Sequence, residues 1–289
     1  MRVFTRPALV LILAAAPVAA QSSPGPGDRF EPADVFALER GADPRISPDG
    51  HQVVFVRTFF DEMADATRSN LWVLPYGGGE ARPLTTGLQR DFSPRWSPDG
   101  ERLAYLSTEE GGSEVWLRWM DTGQTAKLTS LNESPGGLAW SPDGQWLAFT
   151  LFVPEDDPGL PVSMPSPPAG ADWGPSWTYI DDLTYRADGS GYLRSGHRHV
   201  FVLPVEGGTP RQVTSGPYDH GAPSWTPDGS ALVLSANRRE DRERMPIDSE
   251  IWRLELASAF PKMAAMEAEH GTLTRAMIAR RRARRKALK

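Results

Sequence analysis

Trp96-Ser97-Pro98-Asp99-Gly100 is one of four copies of the same five-residue turn; the others start at Ile46, Trp140 and Trp225. Pro presets φ, Asp folds back on its own backbone, and Gly takes a positive φ without steric cost. Each copy runs into a short stretch with matched apolar pairs: Val53 and Phe55, Leu103 and Tyr105, Leu147 and Phe149, Leu232 and Leu234. That alternation is strand-like. Four copies of one strand–turn–strand unit mark a repeat architecture.

The spacing of later features gives the length of the unit. Each turn and strand is followed by an apolar–aromatic pair: Leu71-Trp72, Val115-Trp116, Val200-Phe201 and Ile251-Trp252. Twelve residues after each of the first three aromatics comes an apolar–Thr pair, ending in Thr85, Thr129 or Thr214. From the apolar member of that pair to the next turn proline is fourteen residues in all three cases. The unit is therefore four short antiparallel strands at a period of about 44 residues, which is a propeller blade. A β-sandwich with similar turns has no reason to repeat two spacings. The 27 glycines and 27 prolines suit many short strands better than long helices.

The fold class is all-β: an incomplete β-propeller with about four blade starts over residues 46–256. It is preceded by a linker and short helix within 21–45, the helix over Pro32–Arg40, with Pro near its start and Gly41 after its last residue. The third blade is exceptional. From turn proline to strand-three aromatic it runs 59 residues, against 24, 18 and 25 in the others. The excess is an insertion within about residues 152–197, rich in proline and aromatics. Loops of this length in compact domains are functional or disordered, and the large aromatics argue against simple disorder. The insertion leaves the face opposite the first–second strand turns. Trp173, Trp177, Tyr179, Tyr185 and Arg186 are the candidate contacts with a substrate or a second domain. An ornamental packed loop is the bland alternative.

The two ends differ from the body. Arg2 and Arg6, the apolar run Ala8–Ala16 and the small residues Val18-Ala19-Ala20 read as a secretory signal peptide over 1–20, not a membrane span. The expected product is secreted or periplasmic; an uncleaved anchor is the alternative. Residues 257–289 lose the repeat register and read as a helical basic tail: Ala264, Ala265 and Ile278 stand where Leu, Thr and Pro are due. Nine Lys or Arg face two Glu in 262–289. Two more arginines lie in 1–20, which leaves residues 21–261 at −15 within a net −6. An acidic body excludes nucleic acid as its partner class. The tail is read as a lost reading frame or a truncation rather than as a nucleic-acid or membrane patch. An incomplete arc leaves open strand edges, which invite self-association.

The Trp-Ser-Pro-Asp-Gly turns, the glycine-containing turn before each Leu-Thr, and their spacings resemble the propeller repeats of TolB and of the prolyl oligopeptidase family. Two stretches resemble the acylaminoacyl-peptidase and dipeptidyl-aminopeptidase branches: Pro32–Arg40 continuing through Asp43 to Gly50, and Leu183–Tyr192 leading through His197 and His199 into Val200-Phe201. The resemblance implies a propeller that screens peptide substrates ahead of an α/β-hydrolase domain with a Ser-Asp-His triad on a G-x-S-x-G elbow. This sequence contains no G-x-S-x-G, so no catalytic residue is assigned, and activity is expected only with the missing α/β-hydrolase domain. No metal or cofactor is expected; there are no cysteines, and His197-x-His199 lacks a further ligand cluster. A TolB-like periplasmic module that binds a protein is the second reading. On either, the repeat itself is scaffold.

Overall fold

A computed structural model of the chain describes residues 30–156, 166–173, 180 and 182–256. The expected signal segment, the linker up to residue 28, the basic tail, Trp177 and Tyr179 lie outside those residues.

Each repeat turn closes by the same hydrogen-bond pattern. Ser97 Oγ donates to Asp99 Oδ1 and accepts from Arg102 N at 2.9 Å. Asp99 Oδ1 also accepts from Glu101 N at 3.0 Å. Gly100 N donates to Ser97 O at 2.9 Å, with Gly100 at φ 75°, where a Cβ would be strained. Ser47, Ser141 and Thr226 repeat the arrangement, because a threonine hydroxyl serves as well as a serine one. In the last copy, hydrogen bonds from the Thr226 hydroxyl, then from the Ser230 amide and hydroxyl, bring Asp228 down to about 2.

The strands on either side assemble into blades. Blade one is β1 (Arg40–Ile46), β2 (Gln52–Asp61), β3 (Ala66–Pro75) and β4 (Arg82–Pro83), hydrogen-bonded in that order and antiparallel. Blade two is β5 (Asp91–Trp96), β6 (Arg102–Ser107), β7 (Glu114–Trp119) and β8 (Thr125–Lys127). Blade three is β9 (Gly136–Trp140), β10 (Trp146–Pro154), β13 (Gly196–Pro204) and β14 (Arg211–Gln212). A separate hairpin, β11 (Arg186–Ala187) with β12 (Gly191–Tyr192), stands in its insertion. Blade four shows three strands among the described residues: β15 (Ser224–Trp225), β16 (Ala231–Ala236) and β17 (Glu250–Glu255).

The expected helix over Pro32–Arg40 is a shorter 3₁₀ turn, Pro32–Ala37, closed at its start by Glu31 N donating to Asp34 Oδ2. Leu38 is extended, and β1 already begins at Arg40, inside the stretch read as linker and helix. Pairing with β2 outcompetes helix propagation there, since one 3₁₀ turn fixes few hydrogen bonds.

The apolar–Thr pair has a definite role. Thr85 Oγ1 accepts from Leu71 N, Thr129 Oγ1 from Val115 N, and Thr214 Oγ1 from Val200 N, all at 2.8–2.9 Å. The amide of the apolar residue before each threonine donates to the same strand-three residue's carbonyl at 2.8 Å. The short outer strand thus continues its ladder through a side chain, which sets the twelve-residue spacing.

Successive blades pack face to face. Val54, Val56, Leu71 and Val73 of blade one meet Leu103, Tyr105 and Trp116 of blade two. Leu106, Val115 and Leu117 then meet Leu147, Phe149 and Leu203; Val200 and Val202 meet Leu232, Leu234 and Trp252. Leu103, Leu147 and Leu232 are wholly buried, and each such side chain contributes roughly 1.5–3 kcal/mol. The turn tryptophans knit the inner strands. Trp96 Nε1 donates to Arg45 O at 3.0 Å, Trp140 Nε1 to Arg95 O at 2.9 Å, and Trp225 Nε1 to Ala139 O at 3.2 Å. Each indole reaches the residue one position earlier in the preceding blade. Three residues before Ile46, Trp96 and Trp140, a β-bulge places Asp43, Ser93 and Gly137 at φ 45°, 54° and 62°.

Blade four departs from this series. The position held by the fully buried Leu71, Val115 and Val200 is Ile251 there, 81% exposed. Arg253 stands beside it, where the other blades have Val73, Leu117 and Val202, and pairs with Glu255 at 3.0 Å.

Candidate functional site

Chain topology puts all second–third strand loops on one face of the arc. The insertion of blade three is anchored on that face at its base. Glu155 N donates to Ser195 O at 3.1 Å. Gly196, at φ 133°, passes so close to β10 that a Cβ would lie 2.3 Å from Val153 O. The Arg194 guanidinium grips Glu133 with two bonds of 2.6 Å and lies over the Phe152 ring at 4.7 Å. The Arg194 hydrogen bonds hold the Glu133 carboxyl below the usual carboxylate range.

Above this base the β11–β12 hairpin brings Tyr185 and Tyr192 together, ring centroids 6.2 Å apart, with Leu193 N donating to Tyr185 O at 2.8 Å. Leu183 N reaches Glu243 Oε2 at 3.2 Å, tying the insertion to the long loop between β16 and β17. The loops on this face carry Met63, Leu183, Tyr192 and Ile247, each at least 60% exposed.

Of the sequence-derived candidates, Trp173 is 53% exposed, Tyr185 is 45% exposed, and Arg186 is exposed at the start of the hairpin. Tyr185 is brought to Tyr192, which the sequence reading did not select. Arg194, Glu133 and Glu243, which hold the insertion in place, also escaped that reading. Arg194 and Glu133 are 61 residues apart, and no local pattern links them.

His197 lies 4.0 Å from Glu155 and 3.9 Å from Asp219, at the margin of an ion pair. His199 turns inward against His220, ring centroids 5.2 Å apart. Among the described residues no group of three or more His, Cys, Asp or Glu side chains is arranged to hold a metal ion.

This geometry defines a β-propeller of TolB-type repeats, related to the propeller regions of peptidases and to TolB: residues 52–157 match the TolB beta propeller domain. The chain is 32% identical over 208 residues to the uncharacterized peptidase YuxL of Bacillus subtilis, covering 72% of this chain and 31% of that protein. It is 40% identical over 68 residues to the Tol-Pal system protein TolB of Pseudomonas aeruginosa, covering 23% of this chain and 15% of that one. Among solved structures, the acylaminoacyl peptidase of Pyrococcus horikoshii superposes with a TM-score of 0.59 at 17% identity, over 77% of this chain and 32% of that one. That likeness is one of fold. The chain spans less than a third of the length of each of these relatives.

Proposed function

We propose that this chain is the substrate-gating propeller portion of an exported serine peptidase that hydrolyses peptides, with the chemistry supplied by an α/β-hydrolase domain. One observation carries the reading: the similarity to a peptidase runs over 208 residues, so it takes in far more than a single blade. The insertion face, with Trp173, Tyr185 and Arg186 exposed on it, is the surface offered to peptide or hydrolase domain. The N-terminal apolar segment directs export to the periplasm or medium. The chain holds no G-x-S-x-G elbow, so hydrolysis requires residues outside it. β17, at the sheet edge among the described residues and with Ile251 exposed on it, is the place where copies would self-associate.

The test is the DNA that follows. Reading on from codon 289, and in the other two frames from about codon 257, should reveal further Leu-Thr and Ser-Pro-Asp-Gly registers and a G-x-S-x-G hydrolase. Their absence overturns the reading, as would labelling of the purified chain by a fluorophosphonate.

The 40% identity to TolB over 68 residues favours a second reading, a periplasmic module that binds a protein. It expects a monodisperse monomer that melts cooperatively and yields a specific cross-linked partner.

A further inference from the structure

On the opposite face, where the first–second strand turns lie, the inner strands β1, β5 and β9 enclose an open cleft of about 420 Å³. Its walls include the Trp96 and Trp140 side chains and the turn prolines Pro48 and Pro98. Two guanidinium groups line it, Arg45 and Arg95, and no carboxylate does.

These arginines occupy the same position in successive blades, one residue before Ile46 and Trp96. A single acid holds both from behind: Asp43 Oδ1 is 2.6 Å from Arg45 Nη2, and Asp43 Oδ2 is 2.8 Å from Arg95 Nη1. Asp43 can reach both because it sits in the β1 bulge at φ 45°. The nearby turn aspartates are turned to their own hairpins, where Asp49 and Asp99 accept from Ser47 and Ser97. The residues that line the cleft thus bring two guanidinium groups and no carboxylate, with Asp43 as their shared counter-charge. The indole N–H groups of Trp96 and Trp140 are both spent on backbone carbonyls, and the Arg102 guanidinium lies over the Trp140 ring at 5.2 Å. A guanidinium has five donors in a fixed fork; Asp43 takes one nitrogen of each, and Arg95 Nη1 also donates to Pro94 O at 2.7 Å.

We infer that this cleft binds the carboxylate of a peptide, with Arg45 and Arg95 on the anion and the tryptophan and proline surfaces against the adjoining chain. Charge-assisted pairing with a planar fork selects a carboxylate, and the apolar walls select one that is attached to a peptide rather than free. The inference goes beyond the peptidase reading and does not depend on it, since the cleft lies away from the insertion face.

The test is isothermal titration of the full chain with three capped tripeptides at low salt. Acetyl-Gly-Gly-Gly carries only a C-terminal carboxylate, acetyl-Gly-Glu-Gly-amide only a side-chain carboxylate, and acetyl-Gly-Gln-Gly-amide neither. One or both acidic peptides should bind, which identifies the source of the carboxylate, and the Gln peptide should not. Arg45→Gln should weaken binding about tenfold, the size expected for one charge-assisted hydrogen bond. Arg45 has a side chain 44% exposed, and Asp43 keeps Arg95 in that variant. Arg45→Lys, which retains the charge without the fork, should fall between the two and serves if the Gln variant melts early. Failure of both acidic peptides, equal binding of the Gln peptide, no change in either Arg45 variant, or inorganic phosphate binding as tightly as the peptides would each overturn the assignment.

Discussion

The Trp140 indole donates to the Arg95 carbonyl at 2.9 Å, across the joint between blades two and three. The residues are 45 positions apart, and the same bond joins blade two to one and blade four to three. Trp140→Phe keeps an aromatic, though smaller, side chain and leaves that carbonyl without its donor. The expected loss is about 1 kcal/mol of unfolding free energy, measured by urea titration. An unchanged midpoint would mean that packing alone holds the joint.

Thr129 is 4% exposed, and its Oγ1 both accepts from Val115 N and donates to the buried Glu114 carboxylate. Thr129→Val preserves shape but strands a buried amide and a carboxylate oxygen, which costs roughly 1–3 kcal/mol. Thr129→Ser retains the hydroxyl and should lose much less. Thermal melts of the pair check this: equal melting temperatures would dismiss the hydroxyl's role.

Gly137 of β9 packs against Ala222, in the connector that leads into blade four. A Cβ there would lie 2.8 Å from Ala222 Cβ and 3.1 Å from Ala222 Cα, at φ 62°. Gly137→Ala should destabilise the joint between blades three and four by roughly 1–3 kcal/mol. Limited proteolysis at the 214–224 connector should speed up in the variant. The same alanine at Gly111, a loop glycine with nothing within 4 Å, serves as the control for positive-φ strain alone.

The joint between blades three and four should weaken in mild acid. His199 and His220 are 4% and 2% exposed, in ring contact, and His199 Nδ1 and His220 Nε2 have no hydrogen-bond partner. Burial is the largest influence on each and pushes both below the ordinary histidine value of 6.5. His197 from β13 and Arg238 beyond β16 reinforce that direction; the Arg198 carbonyl, Glu155 and Asp219 oppose it, and Tyr218 packs on the His220 ring. The unfolded chain then binds more protons than the folded one just below pH 6.5, so stability is complete above that pH and falls as pH drops toward the lowered native values. Melting temperature from pH 8 to pH 5 should show that fall, and His220→Gln should flatten it. A flat wild-type profile would count against buried neutral histidines.

Much of the blade was legible in the chain because its signals are local. Ser97, Asp99 and Gly100 close a hairpin within six residues, and Thr129 caps Val115 from fourteen away, so both leave a spacing in the sequence. The insertion was legible as a break in that spacing. The 3₁₀ turn at Pro32–Ala37 was overestimated as a helix, since pattern alone could not weigh it against pairing of Arg40 with Thr58.

The candidate site was legible only in part. Tyr185 and Arg186 stood out as an aromatic and a charge in a long loop, whereas Arg194, Glu133 and Glu243 looked like ordinary surface charges. The Arg45–Asp43–Arg95 group was invisible for the same reason.

The sequence by itself determined the strands, their turns, the blade period and the place where the period is interrupted, since turn dihedrals and two-residue alternation are set by neighbours along the chain. Only the tertiary structure decided what Trp96, Trp140 and Trp225 do, which histidines meet, and where two arginines share one carboxylate. Apart from Asp43 with Arg45 in the same strand, those contacts join residues 21 to 86 positions apart, and they exist only once one blade has been laid on the next.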